Sequence, residues 1–189
     1  MKTLPLSKQL IFVAIVFGVA MLTSFVLAFI ASAAAGRSGQ PLPSPIIGLS
    51  LGVVAGAIYI GLAGNKRVAL ASGDARQAAL APVDDGSARV IVFRRGFVGK
   101  LAGVDVYLDG AARTQLKSPR FAALTVSPGV HTLETRMQNK PSKALAVEAF
   151  ANATVIVEIE VGMKQATPVQ RTDDAGLRVV LASTPMVVA

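Results

Sequence analysis

Cysteine and tryptophan are absent from this 189-residue chain, and histidine occurs once. Without cysteine there is no disulfide, no thiolate metal site, no thiol nucleophile and no lipid-bearing thiol. A single histidine leaves too few donors for an ordinary zinc site. No metal and no cofactor is therefore expected. Missing tryptophan removes the usual marker of a membrane-interface belt. No P-loop, no strand-linked Gly-x-Gly-x-x-Gly and no nucleophile elbow is read.

Apolar residues are abundant. They make up 52% of the chain, and the mean hydropathy of +0.56 is too high for a soluble protein of this size. Residues 10–35 and 46–64 are uncharged. Each is about long enough to cross a bilayer, which takes ~20 residues. Between them lies a turn rich in Gly, Ser and Pro. Only helices or closed barrels satisfy the backbone in lipid, so residues 1–64 are expected to form a two-span antiparallel helical hairpin. A cleaved signal peptide is the competing reading of the first run, with Lys2 and Lys8 before it and Ala31-Ser32-Ala33 as the cleavage site.

Small residues recur every fourth position in both runs. Gly48, Gly52 and Gly56 stripe the second; Ala20, Ser24, Ala28, Ser32 and Gly36 stripe the first. Such stripes let helices approach closely in lipid. Either they face each other inside the hairpin, or one docks an oligomer or protein partner. Lys2 and Lys8 precede the first run and Lys66 and Arg67 follow the second, whereas the connection carries only Arg37. The positive-inside rule then places both termini in the cytoplasm at a bacterial inner membrane. Lys66 and Arg67 are expected at the lipid surface.

The +8 charge is not concentrated in a tail. Residues 1–84 carry six basic and two acidic side chains, and the remainder carries thirteen and nine. A spread surplus suits an anionic lipid surface better than a nucleic-acid groove, so no nucleic-acid partner is expected. Residues 65–88 are Ala-rich and read as a linker holding a short helix near Ala75–Ala81. From Arg89 the periodicity becomes two. Strands are expected at 89–94, 103–110, 120–126, 130–137, 143–149, 154–161 and 177–182, separated by turns such as Asp109-Gly110 and Ser127-Pro128-Gly129. Seven short strands over 89–183 indicate an antiparallel β-sandwich.

VDVYLDG, then ALTVSPGVHTLET, preceded by RVIVFRRGFVGK, resembles the PEGA-type β-sandwich modules and related domains of unknown function on bacterial envelope lipoproteins. The resemblance covers about residues 88–162. The Pro-Glu-Gly-Ala tetrapeptide is missing, and Ser127-Pro128-Gly129-Val130 stands in its place. The lipoprotein cysteine is missing too. An envelope location is implied, with the module outside the cytoplasm, against the charge rule.

The candidate chemistry has plainer readings. Asp109-Gly110 suits a hairpin turn, because both residues tolerate left-handed backbone. His131, in phase with Leu133, reads as a strand residue bonded to a loop; a hydrolase built on it is the sharper alternative. Glu158 and Glu160 read as a solvated polar strand face. Arg94, Arg95 and Lys100 bracket a Gly-containing turn and are the candidates for an anion or partner contact. No catalytic residue is assigned. The expectation is a non-enzymatic, membrane-anchored binding or scaffolding module. The alternative is an accessory subunit of a membrane complex docking through the glycine-striped helix.

Overall fold

The computed structural model describes residues 6–35, 45–62, 65–97, 99–138, 140–162 and 165–189. The chain forms two compact units, Met1–Ala63 and Gly64–Ala189.

The first unit is a pair of helices, α1 (Leu6–Ala35) and α2 (Pro45–Leu62). Neither has a polar face, so helicity here follows from apolar composition rather than amphipathic packing. Added to Gly48, a Cβ would lie 2.5 Å from Ser24 Oγ and 2.7 Å from the Ala20 carbonyl oxygen. At Gly52 it would meet the Val16 carbonyl, and at Gly56 the Phe12 ring. As the glycine number rises the α1 number falls, so the helices pack antiparallel. The glycine stripe thus meets α1 within the chain, the first of the two expected arrangements.

The facing α1 surface differs from the expected stripe. Phe12, Val16, Ala20 and Ser24 line it, whereas Ala28 is exposed. Steps of four residues precess by about 40° each on a 3.6-residue helix, which carries Ala28 off the contact line. The Ser32 side chain, Gly36 and Arg37 lie outside the described residues. Only Gln9–Ile30, 22 residues, is long and apolar enough to cross a membrane; α2 contributes the shorter stretch Gly48–Tyr59. One of the two expected spans is thus found among the described residues, and the end of the second, expected at 46–64, lies outside them.

The second unit holds β1 (Ala88–Arg94), β2 (Val104–Leu108), β3 (Ala111–Leu116), β4 (Arg120–Val126), β5 (Gly129–Met137), β6 (Lys140–Pro141), β7 (Leu145–Ala149), β8 (Thr154–Val161) and β9 (Ala166–Arg171), with helices α3 (Gly73–Leu80) and α4 (Ala175–Ser183). One sheet has the order β4-β1-β8-β9 and the other β3-β2-β5-β6, with β7 also pairing β5. Their inward residues share one core, including Val90, Val92, Val157 and Ile159 from the first sheet and Val106, Leu108, Leu116 and Leu133 from the second. The strands are not all antiparallel, since β1 and β8 run parallel with Ile91 opposite Ile156.

Residues 177–182 are not a strand but part of α4. Asp174 caps this helix by accepting from the Leu177 N–H at 2.7 Å, and Leu177 and Leu181, one turn apart, are buried against Ile91, Phe93, Phe121 and Ile156. A short apolar run is ambiguous between periods, and the cap decides it. This second core explains β1, whose residues from Val90 to Arg94 are all buried: one face meets the opposite sheet and the other meets α4.

Residues 65–88 are likewise no linker. Leu70 bridges Val187, Ala71 N–H donates to the Met186 carbonyl at 3.0 Å, and Ala79 and Val83 are buried. Arg89 reaches back to the carbonyls of Ala79 and Ala81 at 3.0 and 2.5 Å. The Ala-rich composition hides these few anchoring contacts. Within the segment, α3 begins at the Ser72 cap, close to the expected helix.

Candidate functional site

Three polar constellations stand out on the second unit. The first is the β2–β3 hairpin against the start of β5. Asp109 and Gly110 take φ of 52° and 76°, the left-handed pair a two-residue hairpin turn needs. Asp109 accepts from the Thr132 N–H at 2.8 Å and lies 2.7 Å from His131 Nδ1. His131 Nε2 lies 2.8 Å from the Ser127 carbonyl oxygen. Both ring nitrogens face acceptors, so the doubly protonated imidazolium satisfies both. Accordingly the Asp109 partner and the Ser127 carbonyl raise the His131 pKa, while His131 and the Thr132 N–H lower that of Asp109. Neither nitrogen is left to take a nucleophile's proton, and the pair clamps a hairpin. Gly48-Leu49-Ser50-Leu51-Gly52 spells a Gly-x-Ser-x-Gly pattern, but it lies inside α2 rather than at a strand-to-helix elbow.

The second constellation joins Arg95, just past β1, to β8 and β9. Glu158 lies between Arg95, 2.8 Å away through Nε, and Arg171, also 2.8 Å away through Nε; Arg171 reaches on to Glu160 at 2.5 Å. The Glu158 side chain is only 8% exposed. Burial pushes its pKa up, but the two guanidinium partners outweigh burial and hold it below the ordinary carboxylate range. The solvated polar face expected of Glu158 and Glu160 is therefore half wrong: Glu160 is exposed, and Glu158 is the centre of an ion-pair ladder. Beside the ladder, an open groove of about 470 Å³ runs past Arg95, Arg171, Thr172, Asp174, Leu177 and Val180. Its two arginines are already neutralised by Glu158 and Glu160, so it has no net pull on an anion.

The third constellation is the β1–β2 loop and its neighbours. Arg94 is fully buried and donates to the carbonyls of Gly99 (2.6 Å), Ala102 (2.5 Å) and Leu116 (3.3 Å). It organises the loop from inside, and the expected anion contact does not apply to it. Burial lowers its pKa. Arg95 is committed to Glu158 and lies 5.7 Å from the centre of the Phe93 ring. Of the three expected contact residues, only Lys100 is exposed with no ion pair among the described residues.

Around this loop the start of the second unit is tied down. Asn65 donates to the Leu101 carbonyl at 2.8 Å and accepts from the Gly103 N–H at 2.6 Å. Lys66 donates through Nζ to Asp105 at 2.8 Å, and its main-chain N–H donates to Gln115 at 2.7 Å. The Asp105 bond raises the Lys66 pKa. Lys66, expected at the lipid surface with Arg67, is paired with a carboxylate and stays exposed, whereas Arg67 is exposed and has no ion pair among the described residues. Asn65, Asp105, Gln115 and Arg171 went unnoticed in the sequence, because their partners lie between 10 and 49 residues away. Among the described residues no three His, Asp or Glu side chains gather as a metal site. No family model matches the chain, and neither does any curated protein or solved structure.

Proposed function

We propose that this protein is a non-enzymatic binding or scaffolding module, held in a bacterial inner membrane by a two-span helical hairpin, whose two sheets form a PEGA-like sandwich that meets a protein partner. The observation that carries the proposal is the contrast between the units. Along α1, Leu10, Val13, Phe17, Met21, Phe25 and Phe29 are each more than half exposed, while the second unit closes around its own cores. A helix bearing that much uncovered apolar surface needs lipid or protein around it. At 18 residues α2 is ~27 Å long, close to the ~30 Å hydrocarbon thickness, which supports a second crossing.

Of the four sheet edges among the described residues, two are disfavoured and two, β3 and β7, are open to a partner; β3 meets the C-terminal segment through Thr114 Oγ1, which donates to the Val188 carbonyl at 2.9 Å. The β4 edge is taken by the C-terminal segment, where Phe121 exchanges main-chain bonds with Pro185 and Val187. The β9 edge carries Pro168, which discourages pairing. The β7 edge, Leu145–Ala149, has neither proline nor lysine and no strand beyond it among the described residues. A partner strand would add there. Photo-crosslinkers placed at Ala146 and Glu148 of the membrane-embedded chain should trap a protein that crosslinkers at Thr167 on β9 do not. Equal capture from both edges, or extraction of the chain from membranes by alkaline carbonate, contradicts the proposal.

A further inference from the structure

We infer that the β1–β2 loop is a lipid-contact loop, seating Phe97 and Leu101 in the interface of an anionic bilayer. The inference rests on the membrane-anchor reading above and adds where the second unit meets lipid.

Phe97 is 85% exposed and Leu101 66% exposed, and the described loop residues around them are hydrogen-bonded. Buried Arg94 holds the Gly99 and Ala102 carbonyls from beneath. Ser118 donates through its hydroxyl to the Gly96 carbonyl at 2.7 Å, and Lys100 N–H donates to the Phe97 carbonyl at 3.0 Å. Two large apolar side chains are thereby displayed on a braced support. Apolar surface that is uncovered marks a place of contact.

Chain connectivity names the occupant. Asn65 makes two hydrogen bonds to this loop, and it lies three residues beyond Leu62, the end of α2. Three residues span at most about 11 Å. In the chain, the residue that grips the loop thus follows the apolar helix pair by three residues.

Charge agrees. Gly103 and the start of β2 lie at the end of the sheet where Val104 pairs Leu116 and Met137. Arg67, Lys100, Lys117 and Lys140 flank this end, none with an ion pair among the described residues. Asp109 and Glu148 lie toward the opposite end of the same sheet, with Glu148 opposite Val130. Four unpaired basic groups at this end, against Arg113 near Asp109 at the other, draw the domain to anionic headgroups by that end. Phe97 and Leu101 then supply the apolar wedge, and Lys100 between them supplies the charge.

The absence of tryptophan makes the test direct. Full-length Phe97→Trp protein is reconstituted into vesicles of phosphatidylglycerol and phosphatidylcholine whose acyl chains carry bromine. Val130→Trp is the comparison; that position is 71% exposed and seven residues along β5 from Met137, or about 23 Å. Flotation of the vesicles reports anchoring separately. The expected result is that both variants float, the indole at position 97 loses roughly half its emission as it enters the boundary by about 5–10 Å, and the indole at 130 loses none. Adding Lys100→Glu should reduce the quenching at 97. Floating protein with equal or no quenching at the two positions overturns the lipid-contact loop and leaves the anchor reading standing. Protein that does not float overturns the anchor reading and the loop with it.

Discussion

Replacing His131 by Ala tests the hairpin clamp, because its effect must depend on pH in one direction. The ring bridges the Asp109 carboxylate and the Ser127 carbonyl at 2.7 and 2.8 Å, and its side chain is 12% exposed. A hydrogen bond to a charged group contributes ~1.5–3 kcal/mol. Asp109 is 47% exposed, so solvent screening lowers the pair to about 1–2 kcal/mol. His131's folded pKa is raised above its unfolded value of 6.5. Its stabilisation is therefore complete below 6.5 and fades as pH rises through the folded value. Asp109's is lowered from 3.8, so its share is present above that value and lost on acidification through the folded one. The clamp is strongest between roughly pH 4 and 6.5. Urea unfolding of the detergent-solubilised chain, followed by circular dichroism, should show the wild type losing ~1–2 kcal/mol between pH 5.5 and 9. His131→Ala should be weaker at pH 5.5 and nearly equal to wild type at pH 9. A wild type with no such slope, or a variant that keeps it, refutes the doubly bonded imidazolium.

Other perturbations reach the remaining layers. Leu181→Ala empties a fully buried site beneath α4 and should cost about 2–5 kcal/mol in the same unfolding measurement. Gly52→Leu drives a side chain into the Val16 carbonyl of α1; calorimetry should show the helical transition lowered and the β-domain transition unchanged. Glu158→Gln leaves Arg95 and Arg171 without their shared carboxylate. It should lower the urea midpoint at neutral pH, and the difference from wild type should shrink as acid protonates Glu158. Asn65→Ala frees the Gly103 N–H and should speed its hydrogen exchange about five- to tenfold, the equivalent of ~1–1.4 kcal/mol.

What the sequence reveals depends on whether a signal is local. The alternation in β2, β5 and β8 is visible because each strand has one face in the shared core and one outside it. Asp109-Gly110 is visible because turn chemistry depends on two adjacent residues. By contrast, β3, β6 and β9 lack alternation and exist through their neighbours. Residues 177–182 look like a strand until the Asp174 cap and the i, i+4 pair Leu177 and Leu181 are weighed together. The burial of Arg94 and the ladder through Glu158 depend on partners that only the folded chain brings near. The same holds for the first residues of the second unit, where composition suggests a tether and Asn65 and Lys66 act as anchors.

The central claim is a β domain held at one side of a membrane by two crossings. Cysteine labelling tests it directly, because the chain has no cysteine of its own. Gln40→Cys lies between the two helices, outside the described residues; Ser87→Cys is half-buried and follows the exposed Asp85-Gly86 turn before β1. Intact cells are treated with a membrane-impermeant maleimide. Two crossings with a cytoplasmic domain predict labelling at 40 and none at 87. Labelling at 87 alone keeps two crossings and puts the domain on the envelope side, where the resemblance to lipoprotein modules places it, contradicting the charge-based orientation. Labelling at both positions, or at neither with both labelled after lysis, means a single crossing and contradicts the hairpin anchor.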